Sequence, residues 1–569
     1  MNSRLILSTL LAGSAVIAAH GAAAWPTAPG TYRFEDYVST SATTMDMNHT
    51  PTGDQTFTVT APHDKIGQFW LRPSGDYWVT LTGEAINASG TGGNNNIRLY
   101  LGNVRFENAV TFGKSNNYIG YTGHAQLAVG NGGSLTVNAE CLRIGQKYND
   151  ATPASGVVYL EQGGRITANK SISVGNGRPG ALWVEGGKLD VVDSIFYEGD
   201  ASEGYIRLDD GEISLRGGDA EASRFGASAP YSSMHISGGT LGTKYSGSQD
   251  GERYVRFGYG KNLAYDLYVD GGLLDLHNRR ATFGYWDSGV AGKLNLTVAG
   301  DGKIVTRLPV VGVSGSGTVA INLLAGGVFE VNRGFSTYGN TTCTRFFNFD
   351  GGTFRAATYS GNTGGLDLGS MQGVVYPKGG TIEIPSGTSS LYSPLRRAAG
   401  WGVKEITLTN PGSGYLTAPQ VTISGGSGRN ATAYAVLKKD RTLEKVVVTC
   451  RGEGYLEDDV LTVSFASTTG SGAAATATLA ENTMPKLSVT GAGTLNVASA
   501  QPYDGELAVA LDGGSFRLDN GSFANVAKAA FGQNTWCGPR VERRRLWVAT
   551  MPRTAFLTFA TRGRPTSPT

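Results

Sequence analysis

The sequence of 569 residues has little of what marks several common classes of protein. Its cysteines show no CxxC pair and no regular spacing, which excludes a disulfide framework and a zinc site and predicts buried single thiols. They are Cys141, Cys343, Cys450 and Cys537. The formal net charge is only +2, so the chain as a whole has no electrostatic attraction to nucleic acid. Helical periodicity is nearly absent, which excludes folds with crossover helices between strands.

Glycine is abundant instead, with 83 residues, about twice the average usage of roughly 7%. No three-residue period is present, so collagen is excluded. Many glycines belong to one repeated motif. It consists of an apolar residue, a spacer residue, Gly-Gly and then alternating apolar residues, as in VDGGLLDL (269–276) and LAGGVFEV (324–331). The glycine pairs predicted to be structural are Gly132 and Gly133, Gly163 and Gly164, Gly186 and Gly187, Gly238 and Gly239, Gly271 and Gly272, Gly326 and Gly327, Gly351 and Gly352, Gly379 and Gly380, and Gly513 and Gly514.

This motif predicts a strand and a sharp corner. Alternating apolar residues are typical of a strand with one buried face, and the paired glycines are expected to supply positive φ at the corner without steric cost. Up to residue 384 the copies lie roughly 23 to 33 residues apart, which is shorter than a propeller blade of about 40–45 residues. Because a parallel β-helix must turn at the same phase of every coil, we predict an all-β fold of this kind.

A second motif alternates with the first and ends in Val-Gly, Ile-Gly or Phe-Gly, as in LRIG and VRFG. The alternation of LAVGNGGSLTV with CLRIG resembles the autotransporter-associated β-strand repeats of exported bacterial proteins, over about 125–400 and again over 487–520. Those repeats belong among the pectin-lyase-like right-handed β-helices. The resemblance implies a right-handed parallel β-helix that is passenger-like and forms a secreted or surface-displayed stalk. No translocator barrel of alternating strands is recognisable.

The start of the chain has the three-part pattern of a secretory signal. Arg4 supplies the positive end, an apolar stretch follows, and Ala22 and Ala24 are the small residues before an expected cleavage at Trp25. The apolar stretch is shorter than the ~20 residues that span a bilayer. We therefore predict a protein that is secreted or associated with the outer membrane at the cell surface, without a membrane-spanning segment after cleavage.

Six segments are predicted along the chain. They are a signal peptide (1–24), an N-terminal β cap or module (25–125), β-helix repeats (126–400), a tandem Gly-x-Gly-Tyr β-repeat module (401–482), further β-helix repeats (483–525) and a basic tail that is disordered or frame-shifted (526–569).

Two of these segments contain candidate ligand-stacking aromatics. The 25–125 segment is predicted to be a cap, the first irregular coils of the solenoid or a carbohydrate-binding module. In a carbohydrate-binding module, Trp70 and Trp78 would stack on the sugar rings. The 401–482 module duplicates itself at an offset of 40 residues and resembles Gly-x-Gly-Tyr β-repeats of bacterial surface and phage-tail proteins. Its Tyr415 and Tyr455 either pack over a turn or contact a ligand.

No catalytic or cofactor motif is recognisable, so no catalytic, cofactor-binding or metal-binding residues are predicted. Galacturonan hydrolases of the β-helix fold use paired carboxylates and contain Asn-Thr-Asp and Arg-Ile-Lys motifs. Both motifs are absent from this sequence, as is a Gly-x-Ser-x-Gly elbow. Asp270, Asp350 and Asp512 each precede a Gly-Gly corner. Their carboxylates either cap the turn by a hydrogen bond to its backbone or form a row that binds calcium.

These observations predict an exported, structural or adhesin-like β-solenoid without catalysis. Its partners would be extracellular polysaccharide or other surface proteins, and not nucleic acid. The alternative is a polysaccharide-active β-helix, a lyase or glycoside hydrolase, whose catalytic residues are unrecognised.

Overall fold

The computed structural model describes most of the chain from residue 24 onward. The described residues are 24–38, 44–64, 66, 68–88, 96–113, 117–138, 141–147, 153–192, 194–196, 202–216, 223–226, 229–243, 254–332, 334–335, 342–357, 371–518, 521–523, 525–532, 535–538 and 556–557. The predicted signal peptide before residue 24 lies outside them.

The structure is 64% strand and 1% helix, and a short 3₁₀ helix spans Phe34–Asp36. The first strands are β1 Gly30–Arg33, β2 Thr44–His49, β3 Gln55–Val59, β4 Gln68–Pro73, β5 Trp78–Gly83, β6 Ile86–Ala88, β7 Asn96–Leu99, β8 Gly102–Phe106, β9 Ala109–Phe112, β10 Asn117–Ile119, β11 His124–Val129, β12 Ser134–Val137, β13 Cys141–Ile144, β14 Ser155–Leu160, β15 Arg165–Ala168 and β16 Ser171–Val174. The middle strands are β17 Gly180–Val191, β18 Ser194–Phe196, β19 Gly204–Leu215, β20 Ser223–Phe225, β21 Ser232–Thr243, β22 Tyr254–Gly260, β23 Ala264–Trp286, β24 Lys293–Val298, β25 Lys303–Ser314, β26 Thr318–Leu324, β27 Val328–Val331, β28 Thr344–Asp350, β29 Thr353–Ala356, β30 Gln372–Val375, β31 Gly380–Ile384, β32 Thr388–Leu391 and β33 Leu395–Arg397. The last strands are β34 Trp401–Ser413, β35 Gln420–Ser424, β36 Thr432–Leu437, β37 Leu443–Cys450, β38 Thr462–Ala466, β39 Ser471–Glu481, β40 Lys486–Gly491, β41 Thr494–Val497, β42 Glu506–Leu511, β43 Ser515–Leu518, β44 Lys528–Phe531, β45 Trp536–Gly538 and β46 Phe556–Leu557.

The strands wind into a parallel β-solenoid of about 17 turns, which confirms the predicted fold class. Between β5 and β25 each turn contributes strands to three faces, here called the first, second and third sheets. The first sheet includes β1, β3, β5, β8, β11 and β14, the second β6, β9, β12 and β15, and the third β2, β4, β7, β10, β13, β16 and β18. Longer strands such as β17 and β23 continue through a corner from one sheet into the next.

The core follows from the period-two pattern. In β12 the side chains of Leu135 and Val137 are fully buried and that of Thr136 faces outward. The equivalent residues of the next turns repeat this arrangement, so one continuous apolar core fills the solenoid from Phe34 to Phe523. Stacking of repeats that each contact only their neighbours is the usual basis of solenoid stability.

The segment at 25–125 forms the first turns of this solenoid. Tyr32 of β1 is the parallel partner of Phe57 in β3, and Phe57 is the partner of Leu81 in β5. The described strands of this segment are therefore coils of the solenoid.

The solenoid also continues past residue 525. β44 pairs parallel with β42, and β45 pairs parallel with β43. The two residues of β46 pair antiparallel with β44. The rest of the predicted basic tail, 539–555 and 558–569, lies outside the described residues.

The corner glycines differ within each pair. Gly132 has a φ of 84°, and a Cβ there would meet nothing within 4 Å. Gly133 does not need positive φ, but a Cβ there would lie 2.2 Å from the carbonyl oxygen of Phe106 in the preceding turn. The prediction that both glycines supply positive φ is therefore wrong for one member of each pair. That glycine is needed because a side chain there would collide with the preceding turn.

The inserted module at 401–482 is built from antiparallel pairs. β34 pairs with β39, β35 with β38, and β36 with β37. The first strand of each repeat thus pairs with the last strand of the other, and the two central strands pair with each other. The two repeats are interlocked, which explains why neither half occurs as an independent sheet.

This module lies against the outer surface of the first sheet. The Glu203 carboxylate accepts hydrogen bonds from the Thr417 hydroxyl, from the Ser467 hydroxyl at 3.1 Å and from the backbone N–H of Thr468. Lys439 Nζ lies 2.7 Å from the Glu185 carboxylate. Aromatic residues of both parts pack together between these polar contacts, namely Tyr159, Trp183, Tyr205 and Tyr268 of the solenoid with Tyr415 and Tyr434 of the module.

The corner geometry predicts unequal costs for two adjacent substitutions. Gly133→Ala places a methyl group against the backbone of the preceding turn and should lower the free energy of unfolding by about 2 kcal/mol or more. Gly132→Asn, the matched control, should cost less than about 1 kcal/mol, since asparagine tolerates this conformation. Urea unfolding combined with amide hydrogen exchange across β9 and β12 measures both. Equal effects of the two substitutions would contradict the interpretation.

A pH dependence is predicted from Asp266 of β23. Its carboxylate is buried and accepts hydrogen bonds of 2.9 Å from the Tyr231 hydroxyl and of 2.9 Å from the Asn295 side chain. Burial raises its pKa to about 6, and these hydrogen bonds offset only part of that effect. The folded chain therefore binds more protons than the unfolded chain between about pH 4 and pH 6, and stability should fall as pH rises through that interval and stay lower above it.

Asp266→Asn removes this charge and keeps the shape of the side chain. The variant should be more stable than the unsubstituted protein at pH 7 to 8, by up to about 3 kcal/mol, and equally stable near pH 4. Thermal or urea unfolding of both proteins at these pH values measures the difference. A difference that is the same at both pH values would refute the assignment to Asp266.

Candidate functional site

A row of aromatic and arginine side chains follows the outer surface of the third sheet. Trp70 lies between the buried Phe69 and Leu71 in β4, so its ring points away from the core. In the parallel register Trp70 pairs with Arg98, Arg98 with Tyr118, and Tyr118 with Arg143. These four residues occupy the same position in four consecutive turns, and we call them the third-sheet row.

Cations and rings in this row contact one another. The guanidinium of Arg98 lies 5.6 Å from the ring centre of Tyr118 and 5.1 Å from that of Tyr121, while Arg143 lies 5.8 Å from Tyr118. Tyr118 and Tyr121 are stacked with ring centres 4.7 Å apart. Such cation–π contacts are favourable within about 6 Å, and they hold the arginine side chains along the sheet surface.

A parallel line of side chains adds to the row. Arg72 lies 4.5 Å from the ring centre of Tyr100 and 5.1 Å from that of Trp70. It also forms an ion pair of 3.2 Å with Asp46, and the two side chains are 30% and 26% exposed. Burial raises the pKa of Asp46, and the charge of Arg72 offsets part of this effect.

The same arrangement recurs further along the solenoid, where β20, β22 and the last part of β23 continue this face. Arg224 pairs in register with Arg256, and both guanidinium groups lie over the ring of Tyr259, at 5.0 and 5.2 Å. Arg256 also lies 4.6 Å from the ring centre of Tyr285, which stacks on Tyr259 at 5.4 Å. We call these four residues the second group.

Several guanidinium groups lie close to aromatic rings on this face. Arg98 donates a hydrogen bond of 3.3 Å to the Tyr100 hydroxyl, and no carboxylate of the described residues forms an ion pair with it. Asp46, the parallel partner of Trp70 in the preceding turn, pairs with Arg72. The site is thus a half-buried surface of arginine and aromatic side chains, in which ring contacts orient the planar guanidinium groups.

The structure separates the four predicted stacking residues. Trp70 belongs to the third-sheet row. Trp78 points outward from the first sheet, where Arg105 lies 5.2 Å from its ring. Tyr415 and Tyr455 are only 1% and 4% exposed, which leaves neither ring open to a ligand.

Tyr415 and Tyr455 instead pack over glycines, as the first of the two alternatives had it. A Cβ on Gly470 would lie 2.4 Å from the Tyr415 ring, and one on Gly428 would lie 2.3 Å from the Tyr455 ring. Each tyrosine therefore contacts a glycine of the other repeat, and this contact helps to hold the two repeats together.

The turn aspartates have local partners. Asp270 lies 2.8 Å from His235 Nε2, and Asp350 accepts a hydrogen bond of 3.1 Å from the backbone N–H of Lys378. Within the part of the chain that the structure describes, no group of three or more His, Cys, Asp or Glu side chains is arranged to hold a metal ion. Cys141, Cys343 and Cys450 are buried free thiols, as predicted.

Sequence reasoning missed the arginines of this face, although a signal was present. Arg143, Arg224 and Arg256 stand at the same position of the second motif, in LRIG, SRFG and VRFG. The apolar residues of that motif predict a strand, but the arginine between them does not by itself indicate which residues lie beside it in adjacent turns. Its repetition at one phase predicts a line of cations once the turns are known to stack.

The fold defines the class of this protein as a parallel β-solenoid. No family model, curated protein or solved structure matches the chain. Across the described residues, no helix has the length and apolar character needed to cross a membrane.

The outer row should contribute little to stability, in contrast with the inner aromatic residues behind it. Arg98→Gln should lower the free energy of unfolding by less than about 1 kcal/mol, because cation–π contacts of a side chain that is partly open to solvent are weak. Phe257→Ala should cost about 3–5 kcal/mol, since Phe257 is fully buried and stacks on Phe225 at 4.9 Å and on Phe283 at 5.5 Å. Urea unfolding of the two variants tests this contrast, and a cost for Arg98→Gln as large as that for Phe257→Ala would make the row structural.

Proposed function

We propose that the protein is an exported, non-enzymatic β-solenoid that acts as a structural, adhesin-like rod, secreted or displayed at the cell surface. The observation that carries this proposal is the third-sheet row, which lies on the outer surface of the solenoid and spans four consecutive turns. A repeated linear surface suits contact with a long polymer or another surface, whereas a small substrate requires a concave pocket.

The stacked turns support the same function. The turns that carry the row are joined by parallel ladders on the three faces, so the side chains of the row keep fixed spacings. Rigid elements hold binding groups more accurately than loops do. The signal-like sequence at 1–24 supports export, and the resemblance to autotransporter-associated repeats supports a passenger-like stalk.

Export and surface display can be tested in producing cells with an antibody against the 401–482 module. The full chain should be detected outside intact cells or in the medium, and a variant without residues 1–24 should remain inside. Detection of the full chain only after lysis would contradict the proposal.

The absence of catalysis needs a separate measurement. Purified protein, with and without calcium, should produce neither new reducing ends nor unsaturated-product absorbance from plant and algal polysaccharides. Product that increases with protein concentration would instead establish the alternative function, a polysaccharide lyase or glycoside hydrolase.

A further inference from the structure

The two repeats of the 401–482 module contain equivalent loops with opposite surroundings. At the offset of 40 residues the loop at 415–420, here called the first loop, corresponds to the loop at 455–460, here called the second loop. Five of the six residues of the first loop are buried, whereas in the second loop only Tyr455 is buried. One loop is therefore covered and its counterpart is uncovered.

The first loop shows how a loop of this kind docks on a folded surface. Leu416 and Ala418 are 7% and 0% exposed, and both belong to the apolar cluster between the module and the solenoid. Between them, the Thr417 hydroxyl donates a hydrogen bond to the buried Glu203 carboxylate of the solenoid. The loop thus docks through apolar side chains and a polar group that matches the charge of its target.

The second loop combines exposed apolar side chains with the opposite polarity. Leu456 and Val460 are 63% and 82% exposed, the largest exposures among the large apolar side chains that the structure describes. Between them lie the exposed Glu457, in the position that Thr417 has in the first loop, and the exposed Asp458. Apolar residues that are exposed together, rather than singly, are a mark of interaction sites.

Hydrogen bonds within the module fix the shape of the second loop. The Asp459 carboxylate accepts hydrogen bonds of 2.8 Å from the backbone N–H of Leu456, 2.9 Å from that of Ser427 and 2.7 Å from the Ser427 hydroxyl. The backbone N–H of Asp459 donates a hydrogen bond of 3.2 Å to the carbonyl oxygen of Leu456. A loop that is already ordered loses less conformational entropy on binding.

We propose that the second loop is a docking site for a segment of another protein in which lysine or arginine lies next to apolar side chains. Leu456 and Val460 pack against the apolar side chains of this partner, and the carboxylates of Glu457 and Asp458 pair with its cations. The site is separate from the third-sheet row, and the inference does not depend on the proposed function.

The charge of the second loop decides between kinds of partner. Its two exposed carboxylates repel the phosphates of nucleic acids and of anionic lipids, and 456–460 contain no aromatic ring on which a sugar could stack. The Glu203 site of a second copy is also excluded, because it is acidic and is covered by the first loop of its own chain. A basic and partly apolar protein segment matches both features of the loop.

Fluorescence anisotropy of three short labelled peptides with the full chain tests the inference. The first peptide consists of lysine, leucine and serine, the second has glutamate in place of lysine, and the third has serine in place of leucine. The first should bind about tenfold or more tightly than either of the others, because it alone matches both the charge and the apolar side chains. Its binding should weaken as salt is raised from about 0.05 M to about 0.5 M.

Removal of the exposed apolar side chains locates the site. Leu456→Ser with Val460→Ser should weaken binding of the first peptide about tenfold or more, since the buried apolar area is lost. The matched control is Leu263→Ser with Tyr392→Ser, which changes two solenoid side chains that are 54% and 52% exposed and should leave binding unchanged.

Removal of the charges tests the polarity of the site. Glu457→Gln with Asp458→Asn should weaken binding of the first peptide several-fold and remove most of its salt dependence. The matched control is Asp287→Asn with Asp301→Asn, which changes two exposed acids of the solenoid and should leave binding unchanged. Unfolding curves of all variants confirm that they are folded.

Several results would overturn the inference. These are no binding of the first peptide, equal binding of the three peptides, and equal losses in the control variants. Self-association of the full chain that Leu456→Ser with Val460→Ser abolishes, measured by sedimentation, would also overturn it, because the partner would then be a second copy. Failure of export in the antibody experiment would remove the proposed function and leave this binding result unchanged.

Discussion

Backbone hydrogen bonds between consecutive turns are the constraint on which the rest of this structure depends. Each turn can bury its apolar residues only when its strands lie in register over those of the turn before. A slip of one residue would move the whole apolar set of a strand to the outside. Glycines at the corners maintain this register in two ways, because one supplies a left-handed conformation and the other removes a side chain from the space between turns.

The outward side chains inherit their order from the same constraint. Since every strand alternates, a residue type that recurs at one phase of the repeat becomes a straight line on the surface. On the first sheet such a line of aromatic residues is covered by the 401–482 module. On the third sheet the line contains arginines and aromatics, and it is held by contacts between neighbouring turns. One sheet thus carries a second domain and the other carries the candidate binding face.

Much of the fold could be predicted from the sequence because corner glycines and alternating apolar residues are local signals with a direct physical meaning. The first turns at 30–112 were harder to assign, since they lack the repeated Gly-Gly motif and their register is visible only from pairing such as Tyr32 with Phe57. Of the residues in the candidate site, Trp70 is the one that the sequence predicted to contact a ligand. Its arginines could not be assigned to a shared surface, because cation–π contacts such as that of Arg98 with Tyr121 depend on which turns are adjacent.

Register between turns is most directly measured by disulfide formation between outward positions of the second sheet. Thr136 and Thr167 are direct partners in adjacent turns, and neighbouring strands lie about 4.8 Å apart, so cysteines at both positions should form a disulfide readily under mild oxidation. The control pairs a cysteine at Thr136 with one at Arg165, which is the partner of Ser134. This diagonal pair should stay reduced, because Cα atoms more than about 7 Å apart cannot be bridged without backbone movement. Equal oxidation of the two pairs, or oxidation of the diagonal pair alone, would contradict the stacked register.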